Sequence, residues 1–207
     1  MPVQRKGKPS RKFATVLWKF RPLTAKQHKA LALQKKRLQT TKTSTFGRTL
    51  RARQLVATLY GALSLQSLRM LLATSAAYPG KSTQTFFTCL EKRVDAGLVS
   101  LHYAPTFRAA RQLIAHGKVT VNGRRVQAPG LALQPGDVLG LAPEAREPVR
   151  AALRTLVERS AAEGALLYKP LQFEVNYKTL EAIFLFAPQQ IHYPTQLEPE
   201  LVLLSFR

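Results

Sequence analysis

The chain has 207 residues, of which 45% are hydrophobic, and carries a formal net charge of +21 with a pI of about 10.9. That length accommodates one domain or two small ones, and that hydrophobic share excludes wholesale disorder. So large a positive charge speaks of partners rather than of fold: nucleic acid first, an anionic membrane surface second. No Asp or Glu occurs before Glu91, so everything upstream carries uncompensated positive charge and is expected to fold fully only against a polyanion. Cys89 is the only cysteine, which excludes an internal disulfide and a Cys-rich zinc site; it reads as a buried small hydrophobe. No apolar run approaches a membrane span, and no hydrophobic signal-peptide core is present.

In chain order, residues 1–24 read as an extended basic arm, because Gly7, Pro9 and Pro22 break any helix. The arm is as acid-free as an organelle transit peptide, but PVQRKGKPSRK is too rich in Gly and Pro for an amphipathic helix. Lys6, Lys8, Arg11 and Lys12 are its candidate phosphate contacts; Phe13, Val16, Leu17, Trp18 and Phe20 are candidate anchors. Ala25 to Leu38 is predicted as a basic helix whose Lys35, Lys36 and Arg37 join a patch with Arg48, Arg51 and Arg53. Residues 39–46 read as a polar loop, Leu50 to Leu59 as a helix and Tyr60-Gly61 as a turn. A helix capped by Ser64 then runs to about Thr74, with Leu65, Leu68, Leu71 and Leu72 as an ordinary core stripe.

Ala76 to Thr83 is predicted as a loop, and Gln84 to His102 as one longer helix with Phe86, Phe87, Leu90, Val94, Leu98 and Leu101 inward. Lys92 and Arg93 fall on its other face, and Asp95 is placed for a weak surface pair with Lys92. The run FRAARQLIAHGKVTVNGRRV, Phe107 to Val126, is the most informative stretch. Phe107, Ala110, Leu113 and Ile114 form an apolar helical stripe behind a Thr106 cap, with Arg108, Arg111, Gln112 and His116 off it. Gly117 closes the helix, and Val119 and Val121 alternate with Lys118 and Thr120 as in a half-buried strand. Asn122-Gly123 supplies the positive-φ pair of a two-residue hairpin, with Arg124 and Arg125 at its mouth.

Pro135-Gly136-Asp137 is the turn before another strand, and Pro143 to Ala165 reads as a mixed-charge amphipathic helix. Leu171 to Phe186 reads as a hairpin or two buried strands, with Phe173, Val175 and Tyr177 inward. Pro188, Pro194 and Pro199 are placed in closing loops before the apolar LVLLSF.

Residues 90–141 resemble the S-four RNA-binding domain: an Arg-x-Asp helix, a second helix ending Gln-Leu-Ile-x-His, the Val-Asn-Gly-Arg-x-Val hairpin and a Pro-Gly-Asp turn. Upstream, FGRTLRARQ and the Tyr-Gly turn resemble the S-four family of small-subunit ribosomal proteins; downstream, FEVNYKTLEAIFLF to the end resembles their tail in its mitochondrial form. The first forty or so residues match poorly. The resemblance implies an α+β fold: a helical domain built from both chain ends, with an inserted S-four-type RNA-binding domain (two helices plus a small antiparallel sheet) and a C-terminal β-containing tail. The corresponding divisions are an arm over 1–45, helical segments over 46–86 and 146–207, and the RNA-binding domain over 87–145.

It further implies a structural constituent of the small ribosomal subunit that binds ribosomal RNA at a multi-helix junction. Such a protein aids assembly and supports fidelity where messenger RNA enters. Implied partners are that RNA, neighbouring proteins including the S-five protein, and messenger RNA. A membrane and a second copy of the chain are not among them. Many bacterial members hold zinc through N-terminal cysteines; this chain lacks them, so no metal or cofactor is expected. A mitochondrial ribosome is the expected location, with a chloroplast or bacterial cytoplasm as the alternative.

Arginine's fixed fork matches phosphate oxygens, and helical RNA hides its base edges, so a surface of this kind reads backbone shape more than sequence. Asn122 and Gln112 are the groups able to reach sugar or base edges. The competing class is an RNA-modifying enzyme of the pseudouridine synthase kind, or an RNA-binding stress factor, carrying the same domain. An enzyme needs a separate catalytic domain, and the flanks offer no Gly-rich nucleotide loop, no paired carboxylates in an apolar setting and no metal cluster.

Overall fold

In a computed structural model describing residues 7–17, 24–40, 43–162, 170–188 and 197–206, the chain divides into two units: 1–86 with 190–207, and 87–189. The first unit is helical, and its elements begin where the sequence offers caps. Helix α1 spans Gly7–Phe13, α2 Ala25–Thr40, α3 Thr45–Leu59, α4 Leu65–Ala76 and α9 Pro199–Leu204, with the start of α5, Ser82–Glu91. The expected extended arm is therefore corrected at Gly7–Phe13. Pro9 sits in the first turn of α1, where its missing N–H has no intrahelical acceptor to satisfy, so it does not break the helix. Phe13 and Leu17 are buried, as anchors should be; Trp18, Phe20 and Lys6 lie outside the described residues.

Helix α3 starts five residues earlier than the expected Leu50, because the Ser44 side chain accepts from the N–H of Gly47 at 3.2 Å. It ends at Tyr60 with Gly61 and Ala62 both at positive φ, and the Leu63 N–H donates back to the Ala57 carbonyl. Ser64 caps α4 through the N–H of Ser67 as the sequence predicts. Leu68 is the buried residue of the α4 leucine stripe; Leu71 and Leu72 are half-buried and Leu65 is exposed. The Pro199 placed in a loop is instead the first helical residue of α9, which packs on α3.

The second unit pairs helices with one sheet. Helix α6 spans Val94–Ser100, α7 Phe107–Ala115 and α8 Pro143–Ala162; the strands are β1 Val119–Val121, β2 Arg124–Arg125, β3 Val138–Leu141, β4 Phe173–Asn176 and β5 Glu181–Phe184. The strand order is β2-β1-β3-β5-β4, antiparallel throughout. Period-two alternation sends Val119, Val121, Leu139, Leu141, Phe173, Ala182 and Phe184 to one core with Leu98, Leu101, Ala110 and Ile114. Gly97 lets α6 approach the sheet: a Cβ there would stand 3.1 Å from the Phe173 ring.

Two expectations are corrected here. The single helix over Gln84–His102 is broken at Lys92-Arg93, where Arg93 is extended (φ −68, ψ 142) and bridges to Ala132. The Leu133 N–H donates to the Lys92 carbonyl and the Val94 N–H to the Leu131 carbonyl, so a long-range pairing outbids helix continuation there. The Tyr177 expected inward lies exposed in the turn between β4 and β5, beyond the end of the alternation. The chain's return to the helical unit comes at residue 190 rather than 146, because β5 pairs with β3 and completes the sheet that holds the hairpin.

Candidate nucleic-acid interface

Helix α7 and the β1–β2 hairpin hold most of the residues singled out in the sequence. Thr106 caps α7 by accepting from the Ala109 N–H at 3.2 Å, and Ala110 and Ile114 are fully buried beneath it. This turns Arg108, Gln112 and His116 to the exposed side. Gly117 (φ 65) leads directly into β1, with Lys118 half-buried at the junction. Asn122 (φ 51) and Gly123 (φ 78) make the two-residue turn, and Arg124 and Arg125 follow, both exposed.

Asn122 is a structural lock rather than a free amide. Its Oδ1 accepts from the Val138 N–H and its Nδ2 donates to Asp137 Oδ1, each at 2.8 Å; Asp137 Oδ2 accepts from the Gln134 N–H at 2.7 Å. The hairpin turn and the Pro-Gly-Asp turn are thereby clamped together, which fixes the pedestal under Arg124 and Arg125. Arg125 also reaches Glu144 at 3.3 Å, a pair exposed at both ends and worth little in water.

Arg93 and Arg111 have a different fate. Asp95 is fully buried; Arg93 donates through Nε and Nη2 to its two oxygens, and Arg111 through Nε to Oδ2, all at 2.9 Å. The expected Lys92–Asp95 surface pair is thus replaced by a buried triad, because the break at Arg93 turns Asp95 inward against α7. Arg93, 8% exposed, is removed from the candidate contact surface; the Arg111 side chain is 25% exposed. Lys92 is half-buried. Burial pushes the nearby Cys89 thiol up from its ordinary value, with a smaller opposing pull from Lys92.

In the helical unit the expected patch divides. Arg51 donates to the Phe13 carbonyl at 3.0 Å and Arg53 to the Ser205 carbonyl at 3.1 Å, with Arg53 also 5.9 Å from the Phe206 ring centre. Both are half-buried fasteners of neighbouring chain segments. Arg48, Lys35, Lys36 and Arg37 are exposed, as are Lys8, Arg11 and Lys12 on α1. Phe46, placed by its sequence at the end of a polar loop, stands exposed in the first turn of α3, because the polar run around it hides the Ser44 cap. Among the described residues no cluster of His, Cys, Asp and Glu suited to a metal ion occurs, and no helix is long and apolar enough to cross a membrane.

Residues 92–139 match the family model of the S4 domain. Over 186 residues the chain is 31% identical to the small ribosomal subunit protein uS4m of Marchantia polymorpha, covering 90% of this chain and 92% of that one. It is 35% identical over 163 residues to the small ribosomal subunit protein uS4 of Cereibacter sphaeroides strain ATCC 17029, and 34% over 165 residues to that of Caulobacter vibrioides strain NA1000; each alignment spans 78% of this chain and 76% of the relative.

Proposed function

The chain belongs to the uS4 family of small ribosomal subunit proteins, and from that premise we propose that it is a structural constituent of the small subunit that grips ribosomal RNA through α7 and the hairpin. The observation that carries this reading is the preformed backbone that holds Arg108, Gln112 and His116 exposed on α7 and Arg124 and Arg125 exposed on the two faces of the hairpin, over an apolar core. A rigid backbone under rotamer-rich side chains lowers the ordering cost of binding, and guanidinium forks suit phosphate oxygens. With Lys118 and the partly exposed Arg111 added, α7 and the hairpin offer roughly six cations to phosphates. The logarithm of the affinity should then fall with the logarithm of salt at a slope of about −4 to −5.

The exposed cations of α1, α2 and Arg48 supply a second group of phosphate contacts. Two such groups serve an RNA junction, where the angle between helices has to be held. Assembly of the small subunit, support of decoding where messenger RNA enters, and contact with the uS5 neighbour follow on this reading. The near full-length likeness to a mitochondrial relative supports a mitochondrial ribosome over a bacterial one. The enzyme and stress-factor readings draw no support from relatives that are named ribosomal proteins over three quarters or more of their length.

The test is incorporation. Arg124→Glu with Arg125→Glu should lower recovery of the chain in small subunits at moderate salt while the unfolding midpoint stays put, since both side chains are exposed. Normal recovery would remove the hairpin from the interface.

A further inference from the structure

Phe46 is 73% exposed, although it stands on a well-formed turn. The Ser44 hydroxyl accepts from Gly47, a Cβ at Gly47 would lie 3.3 Å from that oxygen, and the Thr49 hydroxyl donates to the Phe46 carbonyl at 2.9 Å. The ring is therefore held out on closed backbone. Its sequence neighbours Thr43, Ser44, Thr45 and Arg48 are exposed and polar or charged, so along this stretch of chain the ring is a single apolar face. Protein-docking surfaces extend over several hundred Å²; one isolated ring matches one flat partner.

The electrostatic setting selects that partner. Of the 11 carboxylates in the chain, only Glu198 and Glu200 belong to this unit, whereas exposed Lys35, Lys36, Arg37 and Arg48 do. At about 100° per residue, Arg48 lies roughly 200° around the α3 axis from Phe46, so ring and cation stand on opposite sides of one helix end and a strand crossing that end meets both. A ligand that brings an anionic backbone together with flat, weakly polar faces fits both. Every base offers such a face, and aromatic stacking accepts any of them.

We propose that Phe46 stacks on one unpaired base of the bound RNA, with Arg48 on a phosphate of the strand that crosses the same helix end. The assignment rests on the RNA-binding reading above and gives it an aromatic contact outside the S4 domain. Its test uses the full chain and a protein-free transcript of small-subunit ribosomal RNA, titrated at several salt concentrations. Phe46→Leu and Phe46→Ala should each weaken binding by about 5- to 150-fold with the salt slope unchanged, while Phe46→Tyr binds as the parent does. Arg48→Gln should lower the slope by about 0.7–0.9.

Parent-like binding by Phe46→Leu would overturn stacking, since that variant keeps the apolar bulk and loses the ring. So would a Phe46→Tyr variant as weak as Phe46→Ala. Unchanged binding to the transcript together with poor recovery in ribosomal particles would assign the ring to a protein neighbour and overturn the proposal. A parent chain that ignores the transcript would strike the functional reading itself, a result distinct from all of these.

Discussion

Arginine fastens both units of this protein, to main-chain carbonyls in the helical unit and to carboxylates as well as carbonyls in the other, where Arg146 donates to the Leu141 carbonyl and to Glu181. In the unit of residues 87–189, Arg93 and Arg111 converge on the Asp95 carboxylate. In the helical unit, Arg51 and Arg53 donate to the main-chain carbonyls of Phe13 and Ser205. A carbonyl satisfies the N–H groups yet leaves the charge standing; a carboxylate cancels it. The same residue type therefore packs both units, while the helical one keeps its positive charge with only Glu198 and Glu200 to offset it. A partly buried arginine in that unit still contributes to the long-range attraction of a polyanion.

The strongest way to break this comparison is Asp95→Asn. It keeps the shape but strands Arg93 as a buried, uncompensated cation, and should destabilise the 87–189 unit by about 3–5 kcal/mol in urea unfolding. Replacing the triad together, Asp95→Leu with Arg93→Met and Arg111→Met, should recover most of that loss; failure to recover would mean the triad has a role beyond mutual neutralisation. Arg53→Ala should cost about 1–3 kcal/mol through the lost charged hydrogen bond and ring contact. Faster amide exchange along α9 would report it, and unchanged exchange would show that α9 holds by its apolar contacts alone.

Alkali should act on the 87–189 unit. Burial, then the Tyr177 and Glu181 charges, raise the Tyr103 phenol above its ordinary value of 10.0, and burial raises Cys89 above 9.0. The folded state keeps these protons where the unfolded chain releases them. Stability is thus complete below about pH 9 and should decline as pH climbs through 10 and beyond. A thermal midpoint flat from pH 8 to 11 would contradict this. The smallest effect is ionic: added salt should slow amide exchange in α2 and α3 by screening their self-repulsion, with little change in β1 and β3.

The α7–hairpin unit was legible because its signals are local: the Thr106 cap, the apolar period, and Asn122-Gly123 at positive φ. What escaped notice was set at a distance or by context. The apolar period runs unbroken through Lys92-Arg93, and only the strand-like pairing with Ala132 and the inward turn of Asp95 end the helix there. Pro9 reads as a breaker until its place in a first turn is known. The joining of β5 to β3 depends on residues far apart in the chain and has no local signature. The same limit holds for the site: residue type marks the basic side chains, whereas tertiary neighbours decide whether each faces water or a partner.

The middle position of β3 bears on how this protein is made. One of its flanks is covered by β1 almost as soon as it emerges, but the other awaits β5, some forty residues later in synthesis. At ordinary translation rates that interval is on the order of seconds. Throughout it, a nascent chain displays a bare strand edge beside half-assembled core residues, an invitation to pair with the wrong neighbour. Prompt capture by RNA, or shelter by a chaperone, would matter most in that interval.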